Sequence, residues 1–306
     1  MKYLFIRILK KPKRILCYLI ELFPMRFLND QTYLRYKYWL FLGKKLNLEN
    51  PQTYNEKLQW LKINYRNPLC TKLVDKYEVR EYVKNKIGED HLIPLIGVWD
   101  DISEIDLAKL PNKFVLKCTH DSGSIVICNN KDVFSLDRDC KLLKKRLKTN
   151  YFIYSREWPY KNVKPRIIAE ELMVDESGYE LKDYKFFCFN GIPKYLYVAS
   201  DRSLGTTKFD FFDMGFNHLP IENVHPNSNR IIRCPASFEK MKRIAASLSE
   251  GFPQVRVDLY DINGQLYFGE MTFFHHGGFA PFIPEKWDYE FGANIILPKL
   301  EDYYES

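Results

Sequence analysis

The stretch Val255-Arg-Val-Asp-Leu-Tyr-Asp-Ile-Asn-Gly-Gln-Leu-Tyr-Phe-Gly-Glu-Met271 decides how the chain is read. Apolar and polar residues alternate on both sides of Asn263-Gly264, a dipeptide that accepts the left-handed backbone of a tight hairpin turn. Two antiparallel strands are therefore expected, Val255 to Tyr260 and Gln265 to Met271. Alternation puts Arg256, Asp258 and Tyr260 on one face of the first strand, and Glu270 with Thr272 on one face of the second. If those faces coincide, two carboxylates and a hydroxyl converge beside an arginine. Such a set suits magnesium, a hard cation that takes one or two carboxylates plus phosphate oxygens and water. The same spacing also describes an ordinary cross-strand charge pair on a surface.

Upstream, the local signals alternate between helix and hairpin. Thr53-x-x-Glu56 is a capping box before Leu58, Trp60 and Leu61, which predicts a helix to about Tyr65. A second helix is expected from Thr71 to Ile87, stopped at Gly88. His91 to Trp99 reads as an extended segment, and Phe114 to Cys118 and Ser124 to Cys128 read as strands joined by a polar turn. A basic helix from Leu136 to Lys148 precedes an aromatic loop, Tyr151 to Tyr160, and then a buried strand, Arg166 to Met173. Tyr184 to Val198 forms a hairpin turned at Asn190-Gly191, and Ser237 to Ser249 has helical periodicity closed by Gly251. Hairpins rather than βαβ repeats make this an α+β chain. A subdomain boundary is expected in a short connection such as Asp101 to Lys113 or Asp175 to Leu181.

Composition sets the outer bounds. The 306 residues are 46% hydrophobic and 16% aromatic, enough to bury a core and too apolar for a wholly disordered chain. The formal net charge is +7, yet residues 1–45 alone are net +9 and the remainder is net −2. A basic balance confined to one end argues against a nucleic-acid-binding body and for an arm that touches an anionic surface. The arm mixes Lys and Arg with Leu, Ile, Phe, Tyr and Trp39, so it suits the headgroup layer of an anionic membrane, or a helix packed on its own domain. Its longest apolar run, Ile15 to Phe23, is too short to span a bilayer, and no secretory signal pattern is present. Seven cysteines without any CxxC point to a reduced, cytoplasmic protein in which the thiols serve as buried hydrophobes.

Further chemistry-bearing residues lie in two turns. Lys117 is a lone lysine in an apolar strand just before His120-Asp-Ser-Gly-Ser124. A buried ammonium needs an anionic partner, and a Gly/Ser turn leaves backbone N–H groups free for phosphate oxygens. This turn is neither a Walker A motif nor a dinucleotide-binding glycine fingerprint. His275-His-Gly-Gly278 reads as a substrate-lining loop, because adjacent histidines on an extended segment point opposite ways and do not share one ion.

Taken in order, these segments resemble the ATP-grasp superfamily, and within it the TupA-like branch associated with teichuronopeptide and bacterial surface-polysaccharide synthesis. The resemblance runs from about Asn50 to Pro298. It is carried by Asn55-Glu-Lys-Leu-Gln-Trp-Leu61, Leu73-Val-Asp-Lys-Tyr-Glu-Val-Arg80, Ile93-Pro-Leu-Ile-Gly97, Phe114-Val-Leu-Lys-Cys-Thr-His-Asp-Ser-Gly123, Arg156-Glu-Trp-Pro-Tyr160, Pro165-Arg-Ile-Ile-Ala-Glu-Glu171, Leu181-Lys-Asp-Tyr-Lys-Phe-Phe187 and Phe252-Pro-x-Val-Arg-Val-Asp258.

The resemblance implies an ATP-grasp fold in which two α+β subdomains, residues 51–175 and 176–298, grip a nucleotide. A basic helical arm, residues 1–50, would precede them and a tail, residues 299–306, would follow. It further implies that Lys76 and Lys117 meet ATP phosphates, that Asp121, Ser122, Gly123 and Ser124 form a flap over them, and that Glu170 and Glu171 sit by adenine and ribose. Arg256 would face the γ-phosphate, and Asp258 and Glu270 would hold Mg²⁺. Relatives often place asparagine where this chain has Thr272, whose hydroxyl is a weaker metal ligand. Lys185, Asp183, His275 and His276 would meet the acid or the incoming amine.

The activity so implied is an ATP- and Mg²⁺-dependent carboxylate–amine ligase working through an acyl phosphate. Its partners would be a sugar acid or polysaccharide precursor and an amine or amino acid, with no nucleic acid. The arm would hold a cytoplasmic enzyme at the inner face of the plasma membrane. A glycosyltransferase using a nucleotide sugar, and a non-catalytic nucleotide-binding module, are the alternatives; intact Lys117, Asp258 and Glu270 weigh against the second.

Overall fold

Both Asn-Gly pairs turn hairpins, with Asn190 and Gly191 at φ 50° and 79° and Asn263 and Gly264 at φ 54° and 86°. They belong to a computed structural model that describes residues 27–175, 181–202 and 204–299. The helices are α1 (Asp30–Leu42), α2 (Tyr54–Asn64), α3 (Leu69–Val74), α4 (Val79–Ile87), α5 (Leu136–Asp139), α6 (Lys141–Leu147), α7 (Phe152–Ser155), α8 (Phe238–Ser249) and α9 (Lys286–Ala293). The strands are β1 (Leu95–Trp99), β2 (Phe114–Cys118), β3 (Ile125–Cys128), β4 (Ile167–Glu171), β5 (Asp183–Phe189), β6 (Ile192–Ser200), β7 (Lys208–Asp213), β8 (His218–Leu219), β9 (Glu222–Asn223), β10 (Gln254–Ile262), β11 (Gln265–Thr272) and β12 (Phe282–Ile283). No described helix is long and apolar enough to cross a membrane.

The chain divides into two units. One holds the described residues up to Arg66, Phe152–Glu157 and the chain from Phe274; the other holds Asn67–Tyr151 and Trp158–Phe273. In the first unit, Tyr33, Leu34, Tyr38 and Leu40 of α1 pack with Leu46 and Phe279. The second half of the basic arm is therefore a folded helix, while residues 1–26 lie outside the described residues. Helix α2 starts at the expected capping box: Thr53 Oγ1 accepts from the Glu56 N–H at 3.2 Å, and Glu56 Oε2 accepts from the Thr53 N–H at 3.1 Å. Its residues then tie down the later chain. Asn55 donates from its backbone and side chain to Asp288, both at 3.0 Å, and Lys57 donates to the carbonyls of Gly292 and Ile295 at 2.9 and 2.8 Å. Gln59 donates to the carbonyls of Gly277 and Gly278 at 3.0 and 2.8 Å. The family-like Asn55 to Leu61 segment thus acts as a structural clamp.

The second unit carries two antiparallel sheets. The four-stranded sheet has the order β1-β4-β2-β3, and the six-stranded sheet β11-β10-β5-β6-β7-β8. The first ends at Glu171 and the second begins at Asp183. In the four-stranded sheet Phe114, Leu116, Cys118, Ile167 and Ala169 face a core shared with Leu143 of α6, so period-two alternation turns Lys117 and Glu170 to the opposite face. In the six-stranded sheet Tyr184, Phe186, Cys188, Val255, Val257 and Leu259 share the face covered by α8, where Phe186 stacks on Phe238 at 6.0 Å. Asp183, Lys185, Arg256 and Asp258 share the other face.

Two expected helices are broken. The helix read as Thr71 to Ile87 stops after Val74, because Asp75 leaves helical geometry (φ −78°, ψ 116°). Its carboxylate accepts from the Tyr77 N–H at 2.8 Å and pairs with Arg166, 91 residues on, at 2.8 Å. The basic helix read as Leu136 to Lys148 breaks at Cys140. Five of the six described cysteines are buried, as the buried-hydrophobe reading expects; Cys234 is exposed.

Candidate active site

Register brings the two halves of the β10–β11 hairpin onto one face. Arg256 lies opposite Thr272 and Asp258 opposite Glu270, after which the pairing shifts, so that Leu259 faces Phe268. Gly269 is the extra residue of that bulge, and a Cβ there would lie 3.1 Å from the Asp258 carbonyl oxygen and 3.2 Å from the Tyr260 ring. A glycine inside an alternating strand was the available signal for this bulge.

The convergence is tight. Arg256 Nε reaches Asp258 Oδ1 at 2.7 Å, and its Nη2 lies 2.7 Å from Asp258 Oδ2, 3.0 Å from Glu270 Oε1 and 3.0 Å from Thr272 Oγ1. Across the sheet, Lys185 stands beside Asp258 and bonds to it, and also pairs with Asp183 at 2.8 Å. Arg202, at the far end of β6, pairs with Asp183 at 2.9 Å. Burial pushes the Asp258 carboxyl upward, but Arg256 and then Lys185 overcome it and hold the group at about 2. Burial likewise opposes the charge on Arg256 and Lys185, yet their carboxylate neighbours raise both above their ordinary values.

On the four-stranded sheet Lys117 Nζ pairs with Glu170 Oε2 at 2.6 Å, and Arg80 of α4 meets Glu170 Oε1 at 3.2 Å. Lys76 donates to the Asp121 carbonyl in the turn after β2, and the Asp121 carboxylate takes the Ser124 hydroxyl. The turn needs Gly123 at φ 85°.

A cavity of about 230 Å³ is lined by groups from both sheets. Of the residues singled out from the sequence it gathers Lys76, Lys117, Ser122, Gly123, Glu170, Asp183, Lys185 and Glu270. Asp258 and Arg256 lie buried beside Lys185 and Glu270. Glu171 points away on the opposite face of β4 and is exposed, so it does not join Glu170. His275 and His276 belong to the first unit, in a turn rather than an extended segment; His276 has φ 45°, and the rings lie 4.3 Å apart. Arg80 and Arg202 are lining residues beyond the sequence set. Arg80 closes one of the family-like stretches, whereas nothing local marks Arg202. Five lining cations, Lys76, Arg80, Lys117, Lys185 and Arg202, outnumber the carboxylates Glu170, Asp183 and Glu270, a balance that favours an anionic ligand. Leu73, Val74, Val79, Ile93 and Met271 supply an apolar wall.

The model of the TupA-like ATP-grasp family matches residues 56–296, a span that holds both sheets and this cavity. The chain belongs to the TupA-like ATP-grasp family. No curated protein matches it. Among solved structures, this TupA-like chain is similar to a D-alanine–D-alanine ligase from Bacillus anthracis, at 14% identity and TM-score 0.34, over 65% of this chain and 56% of that one. It is similar to an N5-carboxyaminoimidazole synthetase from Staphylococcus aureus at 16% identity and TM-score 0.37, over 66% and 44%. A D-alanine–D-alanine ligase from Helicobacter pylori matches at 12% identity and TM-score 0.42, over 81% and 68%. The chain thus spans just over half the length of the Bacillus anthracis ligase.

The residues present suit a hard cation. Among the described residues no three His, Cys, Asp or Glu side chains gather as a metal group; the donors here are two carboxylates and one hydroxyl, all oxygen, with Glu270 half-exposed at the cavity. Magnesium requires no more than one or two protein carboxylates and otherwise takes phosphate and water.

Proposed function

We propose that this TupA-like protein is an ATP- and Mg²⁺-dependent carboxylate–amine ligase of bacterial surface-polysaccharide synthesis, joining an amine or amino acid to a sugar-acid carboxylate. The observation that carries this reading is the pairing of cations with a carboxylate–hydroxyl set around one cavity, with Lys117 on the four-stranded sheet, Lys76 in the turn between α3 and α4, and Lys185, Arg256, Asp258 and Glu270 on the six-stranded sheet.

A carboxylate resists attack by an amine because its leaving group would be oxide. Transfer of the γ-phosphoryl group to a carboxylate oxygen breaks the bond to ADP and makes an acyl phosphate. The amine lone pair then attacks the carbonyl carbon, phosphate leaves with the C–O electron pair, and the nitrogen gives up a proton. Lys76 and Lys117 would hold the phosphates, with Ser122 and Gly123 offering backbone N–H groups from the turn. Lys185 and Arg256 would stabilise charge on the transferring group, and most of the rate gain would come from this positioning and neutralisation. Mg²⁺, held by Asp258 and Glu270 with Thr272 beside them, would neutralise phosphate charge when bound. The apolar wall and Glu170 would receive the base and the ribose.

The basic arm would bring the enzyme to an anionic membrane. Tyr36 and Trp39 are exposed one turn apart on α1, with Lys45 exposed just beyond it, and aromatic rings with cations suit the headgroup layer. Thermal unfolding with Mg²⁺ and ATP, run beside Mg²⁺ and nucleotide sugars, tests the central reading. Stabilisation by ATP, followed by ADP release in the presence of a sugar acid and an amine, is the expected result. Stabilisation by a nucleotide sugar alone would make the chain a glycosyltransferase.

A further inference from the structure

Arg256 occupies the point on which the three oxygen donors converge. Its Nη2 lies within 3.0 Å of Asp258 Oδ2, Glu270 Oε1 and Thr272 Oγ1, yet this nitrogen carries only two hydrogens. Three acceptors therefore crowd one donor with two bonds to give, a demand that a six-coordinate cation meets better than a guanidinium does. The surrounding charges are already balanced: Arg256, Lys185 and Arg202 stand against Asp258, Asp183 and Glu270. A divalent cation entering alone would add uncompensated charge next to Arg256 and Lys185. An entering phosphate supplies that compensation and offers the planar guanidinium two oxygens for a two-pronged pairing in place of the carboxylate it leaves.

We propose that Arg256 is an exchangeable internal cation that closes the Asp258–Glu270–Thr272 set to divalent metal until an anionic ligand draws the guanidinium away. Metal and nucleotide then bind as a coupled pair, and metal alone binds poorly. The inference rests on the ligase reading for the identity of the anion. The mutual exclusion of Arg256 and metal rests on the side-chain geometry alone.

The test uses Mn²⁺ as the probe, with its free fraction read by electron paramagnetic resonance on the full chain without nucleotide. Arg256→Met should bind Mn²⁺ at least about ten-fold more tightly than the parent protein, and adding Glu270→Gln should remove that gain. Arg256→Lys keeps the charge without the fork; it should fall between the two and serves as the test if the methionine variant does not fold. Equal Mn²⁺ affinity in the parent and the folded variants overturns the proposal, as does a gain that survives Glu270→Gln. A parallel ATP titration by thermal shift separates the two readings. If ATP binds while Mn²⁺ ignores Arg256, the exclusion fails and the ligase reading stands; if Arg256→Met gains Mn²⁺ but ATP never stabilises the chain, the exclusion stands and the ligase reading fails.

Discussion

Arg256 grips Asp258 in a two-pronged ion pair, Nε to Oδ1 and Nη2 to Oδ2, both at 2.7 Å, although the two residues are next-but-one neighbours on the same strand. Strand alternation puts them on one face, and the adjacent Lys185 closes the other side of the carboxylate. The result is a buried carboxylate held ionised by two cations, with consequences for both acid stability and catalysis.

The acid consequence follows from the sign of the shift. The Asp258 group is held at about 2 in the folded chain, against an ordinary value of about 3.9 in an unfolded one. Its stabilisation is complete above about pH 4 and is lost as pH falls toward 2. Asp258→Asn should cost about 3 kcal/mol at pH 7, because two buried cations lose their partner. It should also flatten the decline in stability between pH 4 and 2. Urea unfolding across that range compares the two proteins, and an unchanged acid limb would refute the ion-pair account.

Glu270 is half-exposed and shares Arg256 with Asp258, so its removal should spare the fold. Glu270→Ala is expected to lower ATP turnover by at least about a hundred-fold through lost electrostatic stabilisation, with an unchanged circular dichroism spectrum. Retained ADP release would remove Glu270 from the proposed metal set.

Lys62 gives the first unit a basic pH dependence. Its ammonium is buried, donating to the carbonyls of Ser155 and Gly277 at 2.7 and 2.6 Å with the Phe279 ring 4.5 Å away. Burial lowers the group to about 7 despite Glu157, which acts to raise it. Between about pH 7 and 10 the unfolded chain binds the extra proton, so stability should rise with pH by up to about 1.4 kcal/mol per unit. Lys62→Met should remove that rise. Urea unfolding at pH 7, 8, 9 and 10 measures it, and parallel curves for the two proteins would disprove the assignment.

Asn55 contributes through Asp288, whose carboxyl is pushed upward by burial while Asn55 counters the shift. Asn55→Ala strips the two bonds donated by the side-chain amide, to Asp288 Oδ2 and to the Ala280 carbonyl, both at 3.0 Å, and leaves the backbone bond to Asp288 Oδ1. The cost should be about 3 kcal/mol in chemical denaturation. A loss below about 1 kcal/mol would show that other groups already satisfy Asp288.

Local sequence determined the hairpins, the α2 start and the alternating faces, because Asn-Gly turns, a capping box and period-two patterning act over a few residues. It therefore placed Lys117, Lys185, Arg256, Asp258 and Glu270 on strands, with Arg256 and Asp258 on one face. Tertiary structure decided what local signals cannot carry. Arg166 helps to hold Asp75 out of a helix from 91 residues away, Arg202 reaches Asp183 from the turn after the neighbouring strand, and Glu170 rather than Glu171 turns toward Lys117. A carboxylate's partner depends on which distant cation the packed sheets bring within about 3 Å, and burial then strengthens that choice by removing the competing water.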